Sequence, residues 1–191
     1  SIPMGASAAL EGRWEPGPGQ DLVDHLRREV PGLDLIAEDL GDLDADALRF
    51  IADSGLPGMK ILQFAFDGDY ESSFLPHQFK TTNYICYTGT HDNDTTVGWY
   101  DHTTEANRDK VRRYMNTNAS SISWDFIRIC LGTIARYAIF PVQDLLNQGS
   151  EHRMNTPGTA AGNWEYRFRA GLLNEGMAKG LRQMTELFGR F

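Results

Sequence analysis

Three runs rich in apolar, aromatic or β-branched residues begin at Leu33, Met59 and Tyr84, about 25 residues apart, and that spacing is the period of repeated βα units rather than of hairpins. The intervals carry helical patterns. Asp21 to Val30 places Leu22, Val23, Leu26 and Val30 on one face before Pro31 and Gly32 end the helix. Asp44 caps a second helix, Ala45 to Ser54, which stops at Gly55 and Pro57. Between them Leu33 to Ala37 reads as a strand. Met59 to Phe66 (MKILQFAF) is a nearly continuous apolar run between Gly58 and Asp67-Gly68, as expected of a strand buried on both faces. Tyr84 to Thr88 reads as the third strand and Ala138 to Val142 as a fourth, with Asp144 to Leu146 a turn. The spacing predicts further helices over Arg108 to Asn116, Ser121 to Ile134 and Ala170 to Phe188. Phe74 to Thr82 and Gly149 to Trp164 read as loops. The breakers Pro3, Gly5, Gly12, Pro16, Gly17, Pro18 and Gly19 predict irregular structure over residues 1–20. A parallel α/β sheet follows.

Charge and cysteine usage narrow the classes of function. A net charge of −8 leaves no basic surface for a phosphate backbone, since the basic residues cluster only in Arg108 to Arg113, so nucleic acid is set aside as a partner. No apolar run is long enough to cross a bilayer, and no export signal stands at Ser1 to Leu10, so a membrane is not expected either. Cys86 and Cys130 lie in apolar surroundings without metal-type spacing, a pattern that suits a reducing cytoplasm.

Parallel α/β folds gather their functional groups at the carboxyl ends of the strands. Here the first strand is followed by Glu38 and Asp39, the second by Asp67, and the third by His91, Asp92 and Asp94. Carboxylates facing one cleft suit glycoside chemistry, in which a neutral acid protonates the leaving oxygen while an ionised group stands near the positive sugar. Phe64, Trp99, Tyr100 and Trp164 are candidate platforms for pyranose rings. Each has a plainer reading: Glu38 and Asp39 as helix-terminal or loop carboxylates, His91 as a structural imidazole held by Asp92, and the aromatics as core. His91, Asp92 and Asp94 with Glu38 also form a possible divalent-metal set.

At these residues the chain resembles a known family, the 4-alpha-glucanotransferases called amylomaltase or disproportionating enzyme, of the alpha-amylase clan. The matching motifs are Leu35 to Gly41 (LIAEDLG), Leu56 to Phe66 (LPGMKILQFAF), Tyr87 to Tyr100 (YTGTHDNDTTVGWY), Phe140 to Leu146 (FPVQDLL) and Arg153 to Trp164 (RMNTPGTAAGNW). The resemblance implies the carboxy-terminal half of a (β/α)8 barrel, about four parallel strands with flanking helices, and residues 1–191 as one partial catalytic domain. It implies transfer of α-1,4-glucan segments between maltooligosaccharides with retention, in starch and maltose metabolism, without a metal or organic cofactor. Glu38 matches the general acid/base, Asp92 the carboxylate that stabilises the transition state, and His91 a sugar-hydroxyl ligand. Phe64, Asn155 and Trp164 match subsite residues. The family's nucleophilic aspartate sits in an Arg-x-Asp-His-type motif, and no such motif occurs in these residues. The expectation is therefore a chain without transferase activity by itself, with a non-catalytic glucan-binding remnant as the alternative. The open sheet edges of a half barrel favour self-association.

Overall fold

The computed structural model describes residues 1–68 and 70–190, which fall into two compact units, Ser1–Leu56 and Pro57–Phe191. In the first unit residues 1–19 are irregular apart from one 3-10 turn at Ala9–Glu11. Helix α1, Gln20–Glu29, packs on α2, Ala45–Ser54. A polar contact joins that pair. Arg27 Nη2 donates to the Ser54 carbonyl at 2.7 Å, and the amide of Ala47 donates to Asp44 Oδ1 at 2.8 Å, which caps α2. Gly55 then ends α2 at φ 65°, a left-handed position that glycine occupies without steric cost.

Between these helices the expected strand Leu33 to Ala37 is not formed. Residues 33–40 have no regular structure, because a strand exists only through a ladder partner and none is present for it among the described residues. Among the described residues the sheet has three strands, where about four were expected.

All three belong to the second unit. β1 (Gly58–Ile61), β2 (Tyr84–Tyr87) and β3 (Tyr137–Ile139) pair in that order, both ladders parallel, with Met59 opposite Ile85 and Cys86 opposite Ala138. The apolar run after Gly58 does not stay extended to Phe66. It turns into a 3-10 helix at Leu62–Ala65, so that Leu62, Ala65 and Phe66, at helical rather than alternating spacing, enter the core while Phe64 points away. A short unbroken apolar run carries no periodicity to distinguish the two outcomes.

β3 starts and ends earlier than expected. Pro141, which has no amide hydrogen for a ladder, stands at the N-cap position of α6 (Val142–Leu145), where a turn was expected. Helix α3, Thr96–His102, follows β2 and is capped by Thr95 Oγ1, which accepts from the Gly98 amide at 3.0 Å. Helix α4, Glu105–Met115, starts before Arg108 because Thr104 caps it, and α5, Ile122–Leu131, stops at Gly132 rather than running to Ile134. Helix α7, Glu175–Leu187, is capped by Asn174.

Phe66, Phe126, Val111, Ile122, Cys86 and Cys130 form the core of this unit, with Trp99 edge-on to Phe126 at 5.5 Å. Burying such side chains contributes about 1.5–3 kcal/mol each, which makes the sheet and α5 a firm base for the loops at the strand ends. Among the described residues no helix is long and apolar enough to cross a membrane.

Candidate active site

The segment after β2 has its internal shape set by its own side chains. Asn93 Oδ1 accepts from both the amide and the hydroxyl of Thr90, at 2.8 Å each, and the Asn93 amide returns to the Thr90 carbonyl at 3.2 Å. This compact turn pushes His91 and Asp92 outward, where their side chains are 51% and 49% exposed, enough to meet a ligand without being desolvated beforehand.

A second loop closes on them. Asn155 Nδ2 donates to Asp92 Oδ1 at 2.6 Å, and His91 Nε2 lies 3.3 Å from the same oxygen. Both contacts fall on Oδ1, and among the described residues no protein donor reaches Oδ2. Arg153 fastens the backbone beneath: its Nη2 donates to the Asp92 carbonyl at 2.8 Å and its Nε to the Asn155 carbonyl at 2.7 Å. The loop from Arg153 then shuts on itself, with the Trp164 amide on the Met154 carbonyl at 2.7 Å and Asn163 Oδ1 on the Thr156 amide at 2.9 Å.

Trp164 sits at φ 64°, a left-handed conformation that is unfavourable for a bulky residue and is found where surrounding structure enforces it. The residue is 62% exposed, and its indole lies 5.1 Å from the His91 ring. Four of the expected site residues, His91, Asp92, Asn155 and Trp164, are thus gathered at one place by two loops.

Each of the other candidates has its own surroundings. Phe64, in the 3-10 helix that follows β1, is 37% exposed and meets Phe74 edge-on at 5.6 Å. Its neighbour Gln63 is buried and donates through Nε2 to the Asp94 carbonyl at 2.9 Å, which ties the end of β1 to the loop carrying Asp92. Glu38 is exposed on the irregular segment of the first unit, with Asp39 half-buried beside it. Asp94 accepts from the Thr95 amide at 2.8 Å and from Ser150 Oγ at 2.6 Å, so its carboxylate is taken up in a loop contact. Among the described residues no group of three or more His, Cys, Asp or Glu is arranged to hold a metal ion, and the His91–Asp92–Asp94 set is not assembled. Trp99 and Tyr100 pack on the core, Tyr100 with its hydroxyl near Arg112 Nη1 at 3.2 Å, rather than standing as sugar platforms. Asp67 is held by Asn107 at 3.1 Å, and burial pushes its carboxyl above the usual range against the lowering pull of Lys110.

Two residues that sequence reading did not single out shape the site: Arg153 and Asp144. Arg153 opens the fifth matching motif, yet nothing in its spacing says that it will reach a backbone carbonyl 61 residues away. Asp144 is fully buried. It accepts from Thr88 Oγ1 at 2.6 Å, Thr96 Oγ1 at 2.8 Å and the Thr96 amide at 2.9 Å, and burial still outweighs those donors and raises its carboxyl.

Comparison with known proteins shows the family. A family model described as 4-alpha-glucanotransferase matches residues 1–173. The chain is similar to a 4-alpha-glucanotransferase of Synechocystis sp., 42% identical over 99% of this chain and 38% of the relative, and to one of Thermus thermophilus, 39% identical over 97% of this chain and 38% of the relative. Among solved structures it matches an amylomaltase from Streptococcus agalactiae in complex with acarbose, at a TM-score of 0.91 and 35% identity, over 99% of this chain and 38% of that one. The chain therefore spans little more than a third of the length of these relatives, and its parallel α/β fold is part of a (β/α)8 barrel. With the family model covering most of its residues, the chain belongs to the 4-alpha-glucanotransferase family of glycoside hydrolases.

Proposed function

We propose that this chain carries the acid/base and transition-state-stabilising groups of a 4-alpha-glucanotransferase that passes α-1,4-glucan segments between maltooligosaccharides with retention. Glu38 protonates the glycosidic oxygen and later takes the proton of the acceptor hydroxyl. Asp92, with Oδ1 held by Asn155 and His91, offers Oδ2 to the sugar as the ring flattens and gains positive charge. His91 and Asn155 bind sugar hydroxyls, while Trp164 and Phe64 cover the apolar faces of the pyranose rings. The nucleophile that forms the glycosyl-enzyme lies outside these residues, and neither a metal nor an organic cofactor takes part.

The observation that carries this reading is the convergence of His91, Asp92, Asn155 and Trp164 from two loops at the ends of β2 and α6. Support for the substrate comes from the family description and from the acarbose held by the amylomaltase relative. By itself the chain binds glucan without turnover. We place the enzyme in the cytoplasm, in starch and maltose metabolism, away from nucleic acid and membranes, and expect the open sheet edges to favour self-association. The test is an NMR titration of the chain with acarbose. The Asn155 side-chain amide and the Trp164 indole are expected to shift together and saturably, and shifts confined to other residues would refute the assignment.

A further inference from the structure

The Phe140 to Leu146 motif has no part in the chemistry above, yet its Asp144 touches both ends of the loop that carries it. Thr88 is the residue after β2 and Thr96 the first residue of α3, and everything between them, His91 and Asp92 included, is the site loop. One carboxylate accepts from both: from Thr88 Oγ1 at 2.6 Å, and from Thr96 through its hydroxyl at 2.8 Å and its amide at 2.9 Å. The turn around Thr90 and Asn93 gives the loop its shape but not its place. Its place comes from outside, and Asp144 is the tie that reaches both ends.

Helix α6 is itself well seated. Trp124 Nε1 of α5 donates to the Leu145 carbonyl at 3.1 Å, and Ser123 Oγ, also of α5, donates to Asn147 Oδ1 at 2.9 Å. The neighbouring Gln143 donates through Nε2 to the His152 carbonyl at 3.2 Å, immediately before Arg153. A single short helix thus holds the loop of Asp92 through one side chain and the loop of Asn155 through the next.

We infer that Asp144 is a positioning residue that fixes the His91–Asp92 loop at both ends and so keeps Asp92 in register with Asn155. The inference rests on the site reading above for its functional meaning, but its geometry stands without it.

The test is NMR of the full 191-residue chain, reading amide hydrogen exchange and the Asn155 side-chain amide resonance. In Asp144→Ala three donors lose their acceptor, and amides 88–97 are expected to exchange at least about tenfold faster relative to β1 and α5, with the Asn155 amide moving toward its solvent-exposed position. Asp144→Asn restores both readouts, because the amide oxygen accepts from Thr96 and the amide nitrogen donates to hydroxyls that can reverse. Val111→Ala, a core change in α4, lowers protection generally but leaves the Asn155 resonance in place. Should Asp144→Ala fail to fold, Thr96→Val removes one donor and is expected to loosen the same amides less. Unchanged loop exchange in Asp144→Ala and Thr96→Val, or an Asp144→Asn as loose as Asp144→Ala, overturns the inference. Neither readout needs glucan, so a failed acarbose titration beside loosened loop amides counts against the proposed function alone.

Discussion

Gly89→Ala is expected to destabilise the chain through Gln63. A Cβ at Gly89 would lie 2.6 Å from Gln63 Nε2 and 3.2 Å from Gln63 Cδ, and Gln63 is only 2% exposed, so the amide has no open space to enter. Moving it breaks the 2.9 Å bond to the Asp94 carbonyl. Leaving such buried groups unpaired costs about 1–3 kcal/mol, so about 2 kcal/mol is the expected loss for Gly89→Ala. Gln63→Ala loses the same bond and opens a small cavity, for about 2–3 kcal/mol. The double variant has no amide to clash with and should be no less stable than Gln63→Ala, a coupling of about 2 kcal/mol. Urea unfolding followed by tryptophan fluorescence reads this directly, since Trp99, Trp124 and Trp164 all lie in the second unit. Additive losses in the double variant, or a Gly89→Ala loss below about 0.5 kcal/mol, would refute the steric argument.

The raised carboxyl of Asp144 sets a pH dependence. A folded-state value above the usual 3.8 means that its contribution to stability is fully present below that pH and is lost as pH rises through the folded value. Asp144→Asn should therefore flatten the fall of the urea midpoint above pH 3.8, and a difference between wild type and variant that does not change with pH would contradict it. Burial also pushes the Cys130 thiol well up, and its Sγ contacts the Cys86 carbonyl at 3.1 Å. Alkylation of the native chain at pH 8 should leave both cysteines unmodified while denaturant exposes them, and rapid labelling of folded protein would show that the core opens around them.

Where the sequence was most legible, local chemistry agreed with the tertiary context. The cap at Asp44 and the stop at Gly55 could be read from single residues, and α1 and α2 appear where the apolar faces put them, whereas the last helix starts at Glu175 behind its Asn174 cap rather than at Ala170. The HD pair after β2 could be read as a candidate because polar groups crowd the end of a buried strand, and the structure sets it beside Asn155 and Trp164. Leu33 to Ala37 misled because a strand depends on its partner, and MKILQFAF because an unbroken apolar run fits either an extended or a helical path. Helix α3 was hidden by Gly98, which is required there for a different reason: a Cβ would run into Ser150 Oγ, and would stand 2.6 Å from Asp94 Oδ1. The ties by Arg153, Gln63 and Asp144 link residues far apart in the chain, and no local pattern records them.

On the proposed function, these residues supply Glu38 and Asp92 to a transferase completed by residues outside the chain. Its most direct test is incubation with maltotriose, for the chain alone and for the chain co-expressed with the remaining amino-terminal portion of the Synechocystis relative, looking for glucose together with longer maltooligosaccharides. Products are expected only from the reconstituted pair, and are lost in Glu38→Gln and in Asp92→Asn. Products from the chain alone, or undiminished products from a pair carrying Asp92→Asn, would contradict that function.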